Sequence, residues 1–191
     1  METTSHFIGI KIKHTYFVNL FTLLQQYLKK NNAEHVITLQ TMQSLHLTLY
    51  YFENEIPPKD LIQIKNTSVS LNEKYKNFVI TVDNMSYFQK DNADTLCYLN
   101  PVYQKQLHML HDQLAKEYRR DFIPDNQYPY VPHISLFRVT DTNLFKQHKD
   151  AIENIVQESL VALTNENLFA GFALFEVDSH VTPELQLPIT P

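Results

Sequence analysis

Apolar and polar residues alternate over residues 6–13, where Ile8, Ile10 and Ile12 fall on one side, and this period of two predicts a strand. The period then lengthens. Phe17, Leu20, Phe21, Leu24, Tyr27 and Leu28 recur at helical spacing and Asn31-Asn32 closes the run, so a helix is expected over about 15–31. β-rich composition returns at 36–39 and 45–52. Pro57-Pro58 ahead of Asp60, Leu61, Ile64 and Leu71 predicts a second helix, with a cluster of Ser, Thr and Asn at 66–70 against it. Strands are expected at about 78–83 and 95–99. Asn100-Pro101 reads as the start of a third helix running to about 119 on Leu107, Leu110 and Leu114. A polar, proline-containing loop at 121–132 leads to a strand at 133–139, an amphipathic helix at about 143–160 and a last strand at about 168–177. The tail with Pro183, Pro188 and Pro191 reads as an extension, not a folded unit.

Each half of the chain therefore runs strand, helix, a strand that opens on histidine, then another helix, a loose internal duplication. The two openings are His46-Leu47-Thr48-Leu49 and His133-Ile134-Ser135-Leu136. In a strand, residues i and i+2 share a face, so each His lies beside its hydroxyl residue while the apolar neighbours enter the core. If a pseudo-twofold axis relates the halves, two imidazoles and two hydroxyls meet around one point. That set suits a phosphodiester. One His removes a proton from an attacking water or hydroxyl, and the other protonates the leaving oxygen. Thr48 and Ser135 donate to the non-bridging oxygens. His180-Val181-Thr182 starts like a third copy, but Pro183 replaces the apolar strand residue and excludes it.

Composition narrows the partners. The chain of 191 residues is 43% hydrophobic with 12 Phe and 11 Tyr, enough apolar surface for one sizeable core or two lobes sharing one. Sixteen basic residues against 21 acidic give a net charge of -5, which argues against a basic face wrapping duplex DNA. The 8 Lys/Arg and 6 Asp/Glu of residues 1–76 favour the first half as the side along which a phosphate chain runs. With 2 Gly there is no glycine-rich phosphate loop, so side chains must handle phosphate. A single Cys97 within Thr95, Leu96, Tyr98 and Leu99 reads as a small buried hydrophobe in a reducing compartment. No apolar run approaches the roughly 18 residues of a membrane span, and the expectation is a cytoplasmic monomer without a membrane partner.

On the two tetrads, and on Tyr130-Val131-Pro132 preceding the second, the chain resembles the 2H phosphoesterase superfamily, which includes bacterial RNA 2',3'-cyclic phosphodiesterases and eukaryotic 2'-5' phosphodiesterases. The resemblance covers about residues 7–178. It implies an α+β, bilobal pseudo-twofold fold, one domain over residues 1–191 made of two intertwined lobes, with antiparallel sheets lining a central cleft and helices outside. It implies further that His46, Thr48, His133 and Ser135 form the site, that no metal or other cofactor is needed, and that the substrate is an RNA end or small nucleotide carrying a 2',3'-cyclic phosphate or 2'-5' linkage. Arg138 stands five positions after the second His, where the bacterial branch places a substrate-contacting Arg. By strict alternation Arg138 faces away from His133, so that role requires a bend or bulge. At Tyr50 the chain departs from that branch, in which Arg is frequent. The usual family account makes His133 the base and His46 the acid; nothing in this chain distinguishes the two.

Rival readings accompany each residue. Tyr50 and Phe52 share the parity of His46, so one of them is a cleft candidate, although aromatic residues of strands more often enter the core. Tyr130 either stacks a base or packs its loop. Arg138 either binds phosphate or pairs with Asp141. His108, His111 and Asp112 lie at i, i+3 and i+4 of the third expected helix, a metal-compatible spacing with no further ligand cluster. A non-catalytic module that binds RNA ends or nucleotides in the same cleft stands as the second function, and a ligase running the cleft in reverse as a third.

Overall fold

The computed structural model describes residues 5–52, 56–91, 93–118, 129–178 and 181–186. The expected loop at 121–128, His180, Pro188 and Pro191 lie outside them. Among the described residues eight strands, β1 (Ser5–Ile12), β2 (Ile37–Leu39), β3 (His46–Phe52), β4 (Val82–Lys90), β5 (Ala93–Pro101), β6 (Ile134–Val139), β7 (Phe169–Asp178) and β8 (Val181–Gln186), accompany four α-helices, α1 (Val18–Lys30), α2 (Pro58–Lys74), α3 (Gln104–Tyr118) and α4 (Thr142–Leu163). All the pairings are antiparallel. The strands form one sheet in the order β4-β5-β6-β3-β1-β7-β8, with β2 against β6.

The α+β class and antiparallel sheet expected from the sequence are present, and the order shows how the duplication is built. About the β6/β3 seam, β5 mirrors β1 and β4 mirrors β7, so the two His-led strands are neighbours. The seam is thin. A single ladder pair, Leu47 with Ile134, joins β3 to β6.

One face of the sheet is buried. Ile8, Ile10, Leu47, Leu49, Tyr50, Leu99, Ile134, Leu136, Phe137 and Phe172 merge with Leu20, Leu24, Leu107, Leu110, Ile152 and Val156 of the helices into a single cluster. Removing that apolar area from water is the main term favouring the fold. Asp141 caps α4 by accepting from the Asn143 and Leu144 amides, 3.0 Å each. On the opposite face Phe7, Ala173 and Phe175 form a separate small cluster. No helix among the described residues is long and apolar enough to cross a membrane.

Three expectations are corrected. The strand placed at 78–83 runs instead over Val82–Lys90, where the polar sequence is held by pairing with β5. Asn100-Pro101 does not start a helix. It ends β5, with the Asn100 amide donating to Asn84 Oδ1 and, at 2.9 Å, to Ser86 Oγ across the hairpin, and α3 begins only at Gln104. The tail is also partly folded, since β8 adds to the sheet despite Pro183; as an edge strand it tolerates the missing N–H.

Candidate functional site

His46 opens β3 and His133 immediately precedes β6. In the register set by Leu47 and Ile134, His46 lies opposite Ser135 and Thr48 opposite His133, all four on the face away from the helices. Cross-strand neighbours in such a ladder stand about 5 Å apart and diagonal ones about 7–8 Å, which brings the two imidazoles within reach of one phosphorus. All four residues are half-buried, neither sealed in the core nor free on the surface.

The imidazoles are held alike. His46 Nδ1 lies 2.8 Å from the carbonyl oxygen of Ser44, and His133 Nδ1 lies 2.8 Å from that of Val131, in each case two residues upstream. A carbonyl only accepts, so each Nδ1 carries the proton and donates it, and Nε2 at the far edge of the neutral ring keeps its lone pair. Each ring also leans on a stacked aromatic pair from the flanking strands. For His46 these are Phe7 and Phe175, whose centroids are 4.6 Å apart and 4.7 and 5.3 Å from the imidazole. For His133 they are Phe88 and Tyr98, 4.4 Å apart and 5.0 and 5.4 Å from the imidazole.

That apolar setting lowers both proton affinities. Burial pulls His46 from the ordinary 6.5 to about 4, opposed by the Ser44 carbonyl and assisted by the charge of His133. Burial also lowers His133, opposed by the Val131 carbonyl. In the free protein near pH 7 both rings are neutral.

Two bulges decide what else reaches this face. Between β1 and β3 the pairing steps from Ile8 with Tyr50 to Gly9 with Thr48, leaving Leu49 as an extra residue. Between β5 and β6 it steps from Cys97 with Phe137 to Tyr98 with Ser135, leaving Leu136 extra. Each extra residue lies three positions after its His and reverses the alternation beyond it. Tyr50 is therefore in the core, 1% exposed and edge-on to Phe52, and the expectation that it lines the cleft is corrected. Its neighbour Tyr51 takes the His46 side, stacked 6.5 Å from Phe7. The second bulge meets the geometric requirement for Arg138, turning it to the face of His133 and Ser135, where it is exposed. Among the described residues Arg138 forms no ion pair, and Asp141 is engaged at the α4 cap.

Tyr130 donates its hydroxyl to the carbonyl of Thr48 at 3.0 Å, and His111 covers one face of its ring at 4.1 Å and 4°. His111 Nδ1 in turn bonds the Leu49 carbonyl at 2.7 Å and His108 meets the Tyr130 ring edge-on, so both histidines of the helix cluster are tied into packing. No group of three His, Cys, Asp or Glu among the described residues is placed to hold a metal ion. Cys97 is buried, which pushes its thiol up and away from thiolate chemistry.

Sequence reasoning missed Phe7, Tyr51, Phe88, Tyr98 and Phe175. The signal for the bulge was present: Leu49-Tyr50 and Leu136-Phe137 are apolar doublets at the same offset from each His, a break in strict alternation. Gly9 also has a role here, since a Cβ on it would lie 2.8 Å from the Leu47 carbonyl oxygen and 3.1 Å from carbons of the Phe7 and Phe175 rings. Gly9→Ala is expected to cost roughly 1–3 kcal/mol in denaturant unfolding, through displaced backbone or rings under His46. Unchanged stability would mean that this packing yields freely.

A family model described as the 2'-5' RNA ligase superfamily matches residues 34–175, more than half of the chain. No curated protein matches in sequence. Among solved structures, Escherichia coli LigT complexed with 3'-AMP is similar at 17% identity and TM-score 0.52, covering 92% of this chain and 88% of that one. ATU0111 from Agrobacterium tumefaciens, described as a conserved protein of unknown function, is similar at 12% identity and TM-score 0.54, covering 97% and 86%. TT0787 of Thermus thermophilus is similar at 16% identity and TM-score 0.50, covering 90% and 87%. At such identities the likeness is one of fold.

Proposed function

The chain belongs to the 2'-5' RNA ligase superfamily of 2H phosphoesterases, and from that premise we propose that it is a phosphodiesterase that opens a 2',3'-cyclic phosphate, or cleaves a 2'-5' linkage, on an RNA end or small nucleotide. Membership supports a phosphodiesterase or RNA-processing role. The observation that carries the finer reading is the duplicated latch, Nδ1 to a carbonyl two residues upstream, which leaves one Nε2 on each side of the seam for proton transfer. A bound 3'-nucleotide in LigT, a protein of similar fold, is consistent with a nucleotide ligand here.

In this reading a water attacks phosphorus in line with the leaving ribose oxygen. One neutral Nε2 takes a proton from that water as the new P–O bond forms. The other imidazole, protonated, gives its proton to the ribose oxygen as the old P–O bond breaks, and the product is a phosphomonoester. Thr48 and Ser135 hydroxyls donate to the non-bridging oxygens, and Arg138 supplies positive charge at the rim. His46 has its proton affinity lowered to about 4, which favours it as the neutral base and His133 as the acid, the reverse of the order taken from family resemblance. All of these groups belong to one protein unit of two lobes meeting at the β3/β6 seam.

The test is turnover of a 2',3'-cyclic nucleotide in EDTA across pH. Catalysis needs one ring protonated and one neutral, so kcat/KM is expected to peak between about 4 and the lowered value of His133, below 6.5, and to fall on both sides. Loss of activity on chelation, or a maximum above pH 7, counts against the paired-imidazole reading. A second reading draws on the same lowered proton affinities: two neutral rings near pH 7 leave no protonated acid for the leaving oxygen, so the cleft would hold a phosphate end without turning it over. Binding of a cyclic nucleotide with no wild-type turnover at any pH selects it.

A further inference from the structure

Among the described residues β3 has no ladder partner on its β6 side beyond the Leu47–Ile134 pair, and the bulge at Leu49 sits there. Two side chains from the second half of the molecule take the carbonyls at this point. Tyr130 donates its hydroxyl to Thr48 at 3.0 Å, and His111 of α3 donates Nδ1–H to Leu49 at 2.7 Å. Their rings are parallel at 4.1 Å, and His108 meets Tyr130 edge-on at 5.2 Å, so the pair forms one rigid block. Burial raises the phenol of Tyr130 above its ordinary range, which keeps the hydroxyl a donor through neutral pH.

Tyr130 also begins the short strap that ends in His133. Val131, the next residue, supplies the carbonyl that holds His133 Nδ1. One end of the strap is thus pinned to the strand carrying His46 and Thr48, and the other end aims the second imidazole. The first half has no counterpart, since Gln43 stands three residues before His46 where Tyr130 stands before His133.

We infer that Tyr130 and His111 are positioning residues, which fix the separation and mutual aim of His46 and His133 by pinning the 130–133 strap to the β3 bulge. The inference rests on the proposed function for its kinetic consequence. Neither residue touches the reacting atoms, and their effect passes through the backbone of Thr48 and Leu49. A small misplacement of paired proton-transfer groups is costly, because the attacking and leaving oxygens lie in line through phosphorus and each Nε2 must stay within hydrogen-bond reach of its own oxygen.

The experiment compares Tyr130→Phe, which keeps the ring stack and deletes the donor, with His111→Asn, which keeps a donor near the Nδ1 position, and His111→Leu, which does not. Expected for Tyr130→Phe is a fall in kcat of about tenfold or more with KM within about threefold and Tm within about 3 °C of wild type. His111→Asn is expected near wild type and His111→Leu near Tyr130→Phe. Wild-type kcat in Tyr130→Phe overturns the inference, as does His111→Asn behaving like His111→Leu with losses that track Tm. If the wild type itself leaves cyclic nucleotides intact, the proposed function falls. Positioning is then read from the imidazole NMR shifts of His46 and His133 in the presence of phosphate: displacement in Tyr130→Phe supports it, and identity with wild type overturns it.

Discussion

His46→Ala and His133→Ala are each expected to lower kcat on a 2',3'-cyclic nucleotide by about 10²–10⁴-fold, the usual worth of a positioned acid or base. The two losses should not add. Both imidazoles serve one displacement, so the double variant is expected within about tenfold of the worse single one. Binding should persist, because the phosphate contacts assigned to Thr48, Ser135 and Arg138 remain, and a 3'-nucleotide is expected to bind either variant within about tenfold of wild type. Neither ring is a keystone of the main core: both sit on the open face, against Phe7 and Phe175 on one side and Phe88 and Tyr98 on the other. Steady-state kinetics beside calorimetric binding separates the outcomes. A single variant that keeps more than about a tenth of wild-type kcat sinks the paired acid–base mechanism.

The histidine faces were readable because the tetrads repeat and a strand's period is two, so pattern alone put His46 beside Thr48 and His133 beside Ser135. Beyond the third residue of each tetrad the same rule failed for Tyr50, because Leu49 occupies an extra place opposite β1 and everything after it changes face. For Arg138 the rule pointed to the wrong face, and only a bulge at Leu136 could bring the residue round. A bulge is specified by what both strands bury, not by either strand's own alternation. The aromatic supports were hidden for a related reason: Phe7 and Phe175 stack across β1 and β7, 168 positions apart in the chain, a pairing that exists only once the sheet is assembled. Strand β4, reading Val-Asp-Asn-Met-Ser-Tyr-Phe-Gln-Lys, lacks the period of a half-buried strand. Its place is fixed by β5, whereas α2 formed through its Ser/Thr/Asn cluster because Ile64 and Leu71 have a core to enter.

The wild-type protein is expected to lose stability on mild acidification through His46, and the sign follows from its lowered proton affinity. An unfolded chain takes up a proton on this ring near 6.5, while the folded state resists until about 4, so below 6.5 the unfolded state binds more protons and gains. Above 6.5 both states are neutral and the ring makes no pH-dependent difference. The cost grows through this window, to about 2 kcal/mol near pH 5 and about 3 kcal/mol near pH 4. His46→Asn isolates it, since asparagine places an N–H near the Nδ1 position for the Ser44 carbonyl and does not titrate. The pH dependence from carboxylates such as Asp94, held low by Lys149, is common to both proteins and cancels in the difference. Denaturant unfolding from pH 7 to 4 should therefore show the wild type falling below its variant by that amount. A saturating 3'-nucleotide should shrink the gap, because a phosphate monoester beside the ring favours the imidazolium in the folded state and binds that state alone. Parallel curves for the two proteins would show that His46 titrates as it does in water, and the apolar cradle of Phe7 and Phe175 would then have no hold on its proton.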